Sequence, residues 1–236
     1  MWARALFLGA CLIGAAEAQR PLTAEEARAL AASATGFHLV VSTEARRLWV
    51  VNEKGDTVRT ASVAVGTGRS MQYGSSRWRF ETPLGMRTVL RRDVDPVWIA
   101  PDWHFIELAT QLKLNVAVLD RDVPSMLTSG KLLTVRHDTV GVMTGTDTST
   151  FSALPVDEPL IDKATLFIPP LGTVNRLVLG ELGKFRLDLG GGVALHGTPH
   201  KESIGKAATH GCIRLLDDDI AWLYEHVAVG TQVFIY

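Results

Sequence analysis

The sequence predicts a mainly β domain with α/β elements, carrying one long insertion. Three observations predict it. Short runs rich in Val, Leu, Phe and Trp alternate with Gly, Asn and Asp turn signals towards both ends of the chain. Helical patterning is confined to a few short stretches. The segment from about Phe105 to Arg176 shows no single period, although strand-rich regions lie on either side of it. A chain of 236 residues that is 47% hydrophobic and 21% charged has ordinary globular composition and can bury one main core with room for an insertion. With a formal net charge of -1 and no Lys/Arg run, it lacks the electrostatic footprint of a nucleic-acid binder, so no nucleic-acid partner is expected.

The elements follow in order. Arg4, the apolar run "ALFLGACLIGAA" and the small-x-small triplet "AEA" ending at Ala18 predict a signal peptide over residues 1–18, with Gln19 as the first mature residue and export as the consequence. The run falls short of the ~20 apolar residues that cross a bilayer, so no stable membrane span is expected after cleavage. Residues 19–36 form a lead-in helix and linker, because Thr23 with Glu26 three residues on makes a capping box before an Ala/Leu stretch. The main domain runs over 37–236. "FHLVVS", "RRLWVVN" and "VRTASVAVG" are strands joined by "TEA" and "NEKGD" turns, as in antiparallel hairpins. "ETPLGMRTVLRR" adds a Pro-x-Gly turn and a strand, and "FIELATQLKL" a helix inside the insertion. "KFRLDLGGGVALHG" returns to strand character, "DDDIAWLYEHV" is a helix with an aspartate cap, and "TQVFIY" is the closing strand.

The chemistry concentrates in "ALHGTPHKESIGKAATHGCIRL". Signal cleavage removes Cys11 and leaves Cys212 as the single cysteine, unable to form an intramolecular disulfide and conspicuous in an oxidising compartment. A cysteine nucleophile needs a base or positive charge nearby and backbone donors for the oxyanion. Gly211 precedes Cys212 and permits a sharp turn with open access to the amides of both residues. His196 ends a strand before Gly197, and His210 and Arg214 bracket the cysteine, the arginine offering a fork for a carboxylate. Zinc held by His196, His200, His210 and Cys212 is the competing reading. Pro199 and the flanking glycines speak against the helix that would align two of those ligands, so no metal is assigned. A buried structural cysteine is the other alternative.

These residues resemble the signature of the L,D-transpeptidases of the YkuD fold, an HG strand end followed by an [S/T]HGC[I/V]R element, with Thr209 in the hydroxyl position. "TPLGMRTV" is similar to the family's TPxG strand, and "LVVSTEARRLWVVNEKGDTVRTASVAVGTG" and "VGTQVFIY" to its opening and closing strands. The resemblance implies a YkuD-like β-sandwich with the insertion, about 105–176, between the TPxG and HG strands. It also implies a periplasmic cysteine acyltransferase of the cell wall. Cys212 would attack the carbonyl of the third stem residue, usually diaminopimelate, and release D-alanine. His196 would be the base, oriented by the Gly197 carbonyl; His210 would line the acyl site; and Arg214 would hold the loop or a substrate carboxylate. Donor and acceptor stem peptides of peptidoglycan are the implied partners, and no cofactor is implied. Hydrolysis by an L,D-carboxypeptidase or endopeptidase shares the same thioester, and a non-catalytic wall-binding module is a further alternative.

Among the remaining residues, Trp98 and Trp103 are candidates for stacking on glycan sugars, with packing anchors as the bland reading. His104 is a candidate for the cleft, and Thr209 for substrate contact. Residues 75–80, "SSRWRF", are expected to be a solvated loop. Long aperiodic insertions commonly serve as lids or binding loops, so this one is expected to border the cleft on the acceptor side.

Overall fold

The computed structural model describes residues 22–236; the signal-peptide reading of residues 1–18 lies outside them. The chain is mainly β, and two sheets face one another across the largest core. In the first, strict alternation places Leu39 and Val41 of His38–Ser42, and Leu48 and Val50 of Arg47–Val51, on one face, all with no exposed surface. These strands and Thr57–Ser62 form the expected antiparallel meander. His38–Ser42 also pairs in parallel with Gln232–Ile235, which in turn pairs antiparallel with the edge strand Gly85–Thr88.

The second sheet has the order Ile213–Arg214, Ala194–His196, Phe185–Asp188, Arg91–Val94. Leu187, Leu195 and Ile213 are its fully buried residues and meet the first sheet's aliphatic face. Helix α1, Ala24–Ser33, begins in the expected capping box. The Thr23 hydroxyl accepts from the Glu26 amide at 3.2 Å, and the Glu26 carboxylate accepts from the Thr23 amide at 2.8 Å. The helix docks on the first sheet through fully buried Ala27, and Arg28 lies over the Tyr236 ring.

The segment from Trp98 to Val178 leaves and re-enters the domain through a short antiparallel pair, Trp98–Ile99 with Leu177–Val178. Between these lie helix α2, Asp102–Leu112, and two small sheets. One has Asn115–Val118 parallel to Thr165–Ile168, with Leu160–Asp162 beyond; the other is an antiparallel set from Ser125–Met126 to Ser152–Ala153. The missing period has a physical source. Phe105, Ile106 and Ala109 of α2 pack on Leu166 and Ile168, while Leu119, Leu133, Val140 and Leu160 make a separate cluster, so helix and strand patterns interleave every few residues.

Two side chains tie this body together. Asn175 is buried; its carbonyl oxygen accepts from the Val140 amide at 2.7 Å and its amide donates to the Pro155 carbonyl at 3.1 Å. Arg176, 2% exposed, donates to the carbonyls of Pro169 at 2.6 Å and Ala100 at 3.0 Å and to the Asp102 carboxylate at 2.6 Å.

Three local expectations are corrected. Helix α2 starts at Asp102, three residues before the expected Phe105, because Pro101 caps it in an extended conformation. Helix α3, Asp217–His226, is capped by Leu216 with no side-chain hydrogen bond. Asp217, Asp218 and Asp219 sit inside the first turn, where they complement the helix dipole. Residues 75–80 are no solvated loop: Ser76–Arg79 pairs with Ser70–Tyr73 as a hairpin, and Trp78 packs against the α2 core. Among the described residues no helix is long and apolar enough to cross a membrane.

Candidate active site

Strand alternation builds the site. Leu195 and Ile213 are register partners and both point into the core, so their neighbours His196 and Arg214, also register partners, stand together on the opposite face. Arg186 is His196's partner on the other side and belongs to the same row. Cys212 lies one step before Ile213, on the face that His196 shares.

The turn into Cys212 is shaped by its neighbours. Gly211 has φ 137°, and a Cβ there would sit 3.1 Å from the Glu81 carbonyl oxygen, so both backbone angle and space demand glycine. The Thr209 hydroxyl donates to the Cys212 carbonyl at 2.6 Å and accepts from the Gly211 amide at 3.2 Å. Thr209 is 2% exposed, and its hydroxyl braces the turn. The Gly211 amide is taken up in the same turn.

His196 is 2% exposed, and its Nδ1 lies 2.6 Å from the Gly197 carbonyl oxygen. A carbonyl only accepts, so Nδ1 carries the proton and Nε2 keeps its lone pair. Burial pushes the imidazole down to about 4 against the favourable Gly197 bond, and the positive charges of Arg214 and Arg186 push the same way. Burial also raises the Cys212 thiol, opposed by a hydrogen bond from Ala194 and by Arg214 and Arg186. Its sulfur lies 3.5 Å from the Gly192 carbonyl oxygen. The resting pair is therefore a neutral thiol and a neutral imidazole.

This has a stability consequence. Between about pH 4 and 6.5 the unfolded chain binds a proton that folded His196 excludes. The contribution is thus complete above pH 6.5 and is lost as pH falls through 4, about 3 kcal/mol over the window. His104 and His210, also lowered by burial, add in the same direction. Urea unfolding at pH 7 and pH 4.5 should show a smaller difference in His196→Gln than in the native chain. Equal differences would reject the assignment.

The other candidates separate into two groups. The first is gathered at the signature. His210 Nε2 lies 3.0 Å from Glu107 Oε2, the ring stacks on Trp103 at 4.0 Å and 15°, and Phe80 meets it edge-on. Arg214 donates to Glu181 at 2.7 Å, and the other oxygen of Glu181 faces His200 at 3.3 Å, so Arg214 holds the loop that follows the insertion. The second group lies one ring behind the signature, on the far side of Trp103. Trp98 is partly buried and packs on the α2 core against Trp103 and the edge of His104. His104 borders a cavity of about 70 Å³ with Asp157 and Asn175 inside the insertion. Among the described residues no three His, Cys, Asp or Glu side chains come together to hold a metal ion.

Sequence reasoning missed Glu107 and Glu181. For Glu107 a signal existed: it follows Trp103 by four residues, and a helix begun at Asp102 puts both on one face.

Known proteins resemble this chain in sequence and in fold. A family model described as the YkuD L,D-transpeptidase catalytic domain matches residues 36–235. The probable L,D-transpeptidase ErfK/SrfK of Salmonella typhimurium is 44% identical over 54 residues, 23% of this chain and 18% of that protein. The probable L,D-transpeptidase YbiS of Escherichia coli K12 is 44% identical over 52 residues, 22% of this chain and 17% of that protein. The aligned part thus spans less than a fifth of these relatives. The structure of an L,D-transpeptidase from Xylanimonas cellulosilytica superposes with TM-score 0.45 at 16% identity, covering 91% of this chain and 70% of that one.

Proposed function

The chain belongs to the L,D-transpeptidase catalytic-domain family, which acts on peptidoglycan, and from that premise we propose that it is an exported, periplasmic cysteine acyltransferase joining stem peptides. The observation that carries this reading is the His196–Gly197 bond, because it fixes the tautomer whose Nε2 can take a proton from Cys212.

The chemistry then runs in two halves. The Cys212 sulfur attacks the carbonyl carbon of the third stem residue, its proton passing to His196 Nε2, while the Cys212 amide faces the oxyanion. Collapse breaks the C–N bond, and the imidazolium returns the proton to the leaving D-alanine amine. An acceptor amine next attacks the thioester and gives a proton to His196; the C–S bond breaks, and the thiol is restored. A resting neutral pair suits this sequence, because the thiol is deprotonated only as attack proceeds.

Purified disaccharide-tetrapeptide, with and without an added D-amino acid, tests the reading when products are weighed by liquid chromatography and mass spectrometry. Crosslinked dimers and exchange of the terminal D-alanine are expected. Tripeptide alone at every acceptor concentration would make the protein an L,D-carboxypeptidase and leave the roles of Cys212 and His196 standing.

A further inference from the structure

The signature histidine His210 is held by a part of the chain that is remote in sequence. Glu107 stands 103 residues before it, on the first helix of the insertion, with its carboxylate 3.0 Å from Nε2. One turn earlier on the same face, Trp103 stacks on the imidazole at 4.0 Å, while Phe80 closes the edge. A carboxylate only accepts, so Nε2 carries the proton and Nδ1 the lone pair. His196, whose Nδ1 faces a carbonyl, is the opposite tautomer. The site thus has two imidazoles with complementary proton positions, each set by a different acceptor.

We propose that Glu107 is a positioning residue: through the Nε2–H bond it locks His210 in the tautomer whose Nδ1 accepts a hydrogen bond, the form that can receive an N–H from the incoming acceptor amine. The inference rests on the acyl-transfer reading given above for its role in turnover, though not for the tautomer itself. An amine attacks through its lone pair and so must be held by its N–H; the Nδ1 lone pair of His210, two residues from Cys212, can orient it while His196 takes the proton, and an imidazole donor cannot. Formation of the thioester, by contrast, depends on His196.

Charge at His210 is set by several elements. Glu107 of α2 favours the imidazolium, while burial, Arg214 and Arg69 oppose it, and His104 of α2 faces the same group. Glu107→Gln keeps an oxygen acceptor and removes the charge; Glu107→Ala removes both.

Nitrogen-15 NMR of the full chain reads the tautomer directly. His210 should be Nε2-protonated in the native protein and in Glu107→Gln, and mixed or Nδ1-protonated in Glu107→Ala. Its titration midpoint should fall in Glu107→Gln. Dimer formation should drop at least about tenfold in Glu107→Ala and recover to within about threefold in Glu107→Gln, while acylation of Cys212 by a carbapenem stays within about threefold in both. An Nδ1-protonated His210 in the native chain, an unchanged tautomer in Glu107→Ala, or an unmoved midpoint in Glu107→Gln would each overturn the proposal. If the native protein formed no dimers while the tautomer behaved as expected, transferase activity would fail and the positioning would stand.

Discussion

Cys212→Ala should abolish dimer formation, a loss of about 10³-fold or more, in a chain that stays folded. The thiol is half-buried and its sulfur meets the Gly192 carbonyl oxygen only at 3.5 Å, so alanine removes little packing. Ile213 and Leu195, which hold the two strands in register, keep their places in the core. His196→Ala should lose activity to a comparable degree, because no other group offers a free imidazole nitrogen backed by the Gly197 carbonyl. Intact-mass spectrometry gives a second reading. A carbapenem should add its mass once to the native chain and not to Cys212→Ala. Turnover near the native rate in Cys212→Ala, or an adduct that persists there, would sink the mechanism.

Arg176→Ala should give the largest loss of stability, about 3–5 kcal/mol at the insertion, from unpaired carbonyls and the gap left by the side chain. The guanidinium is 2% exposed, satisfies the Pro169 and Ala100 carbonyls and the Asp102 carboxylate, and lies 5.4 Å from the centre of the Phe105 ring. Alanine would strand two backbone acceptors and leave a gap beside α2. Hydrogen exchange should accelerate in α2 and in Thr165–Ile168 and much less in His38–Ser42, whose core is separate. Uniform acceleration across both bodies would show that the insertion does not open on its own.

The strands of the main sandwich were legible because Leu39 and Val41, like Leu48 and Val50, recur at every second residue and send apolar side chains to one face. The HG and HGC elements were legible because chemistry and turn residues fall within one stretch of chain. The insertion was opaque because α2 and its partner strand Thr165–Ile168 share a core across more than fifty residues of other structure. The partners of the signature were invisible for the same reason. Glu107 and Glu181 are ordinary carboxylates until folding sets them against His210 and Arg214, 103 and 33 residues away. Thr209's bracing of the turn was not legible either, because in sequence a hydroxyl beside a nucleophile fits a substrate contact as well as a turn brace; its bonds to Cys212 and Gly211 appear only in the fold.

The parallel pairing of His38–Ser42 with Gln232–Ile235 sets the order in which the protein can assemble. Thr43 bonds the Tyr236 carbonyl across 193 residues, so one strand waits for another made much later. Until then His38–Ser42 is an open edge with an aliphatic face, a template for mispairing between nascent chains. Such non-local closure is slow, because loop entropy is lost before the contacts that reward it form. Synthesis of His38–Ser42 and its pairing are therefore separated in time, and Leu39 and Val41 lack their register partners Val233 and Ile235 throughout that interval.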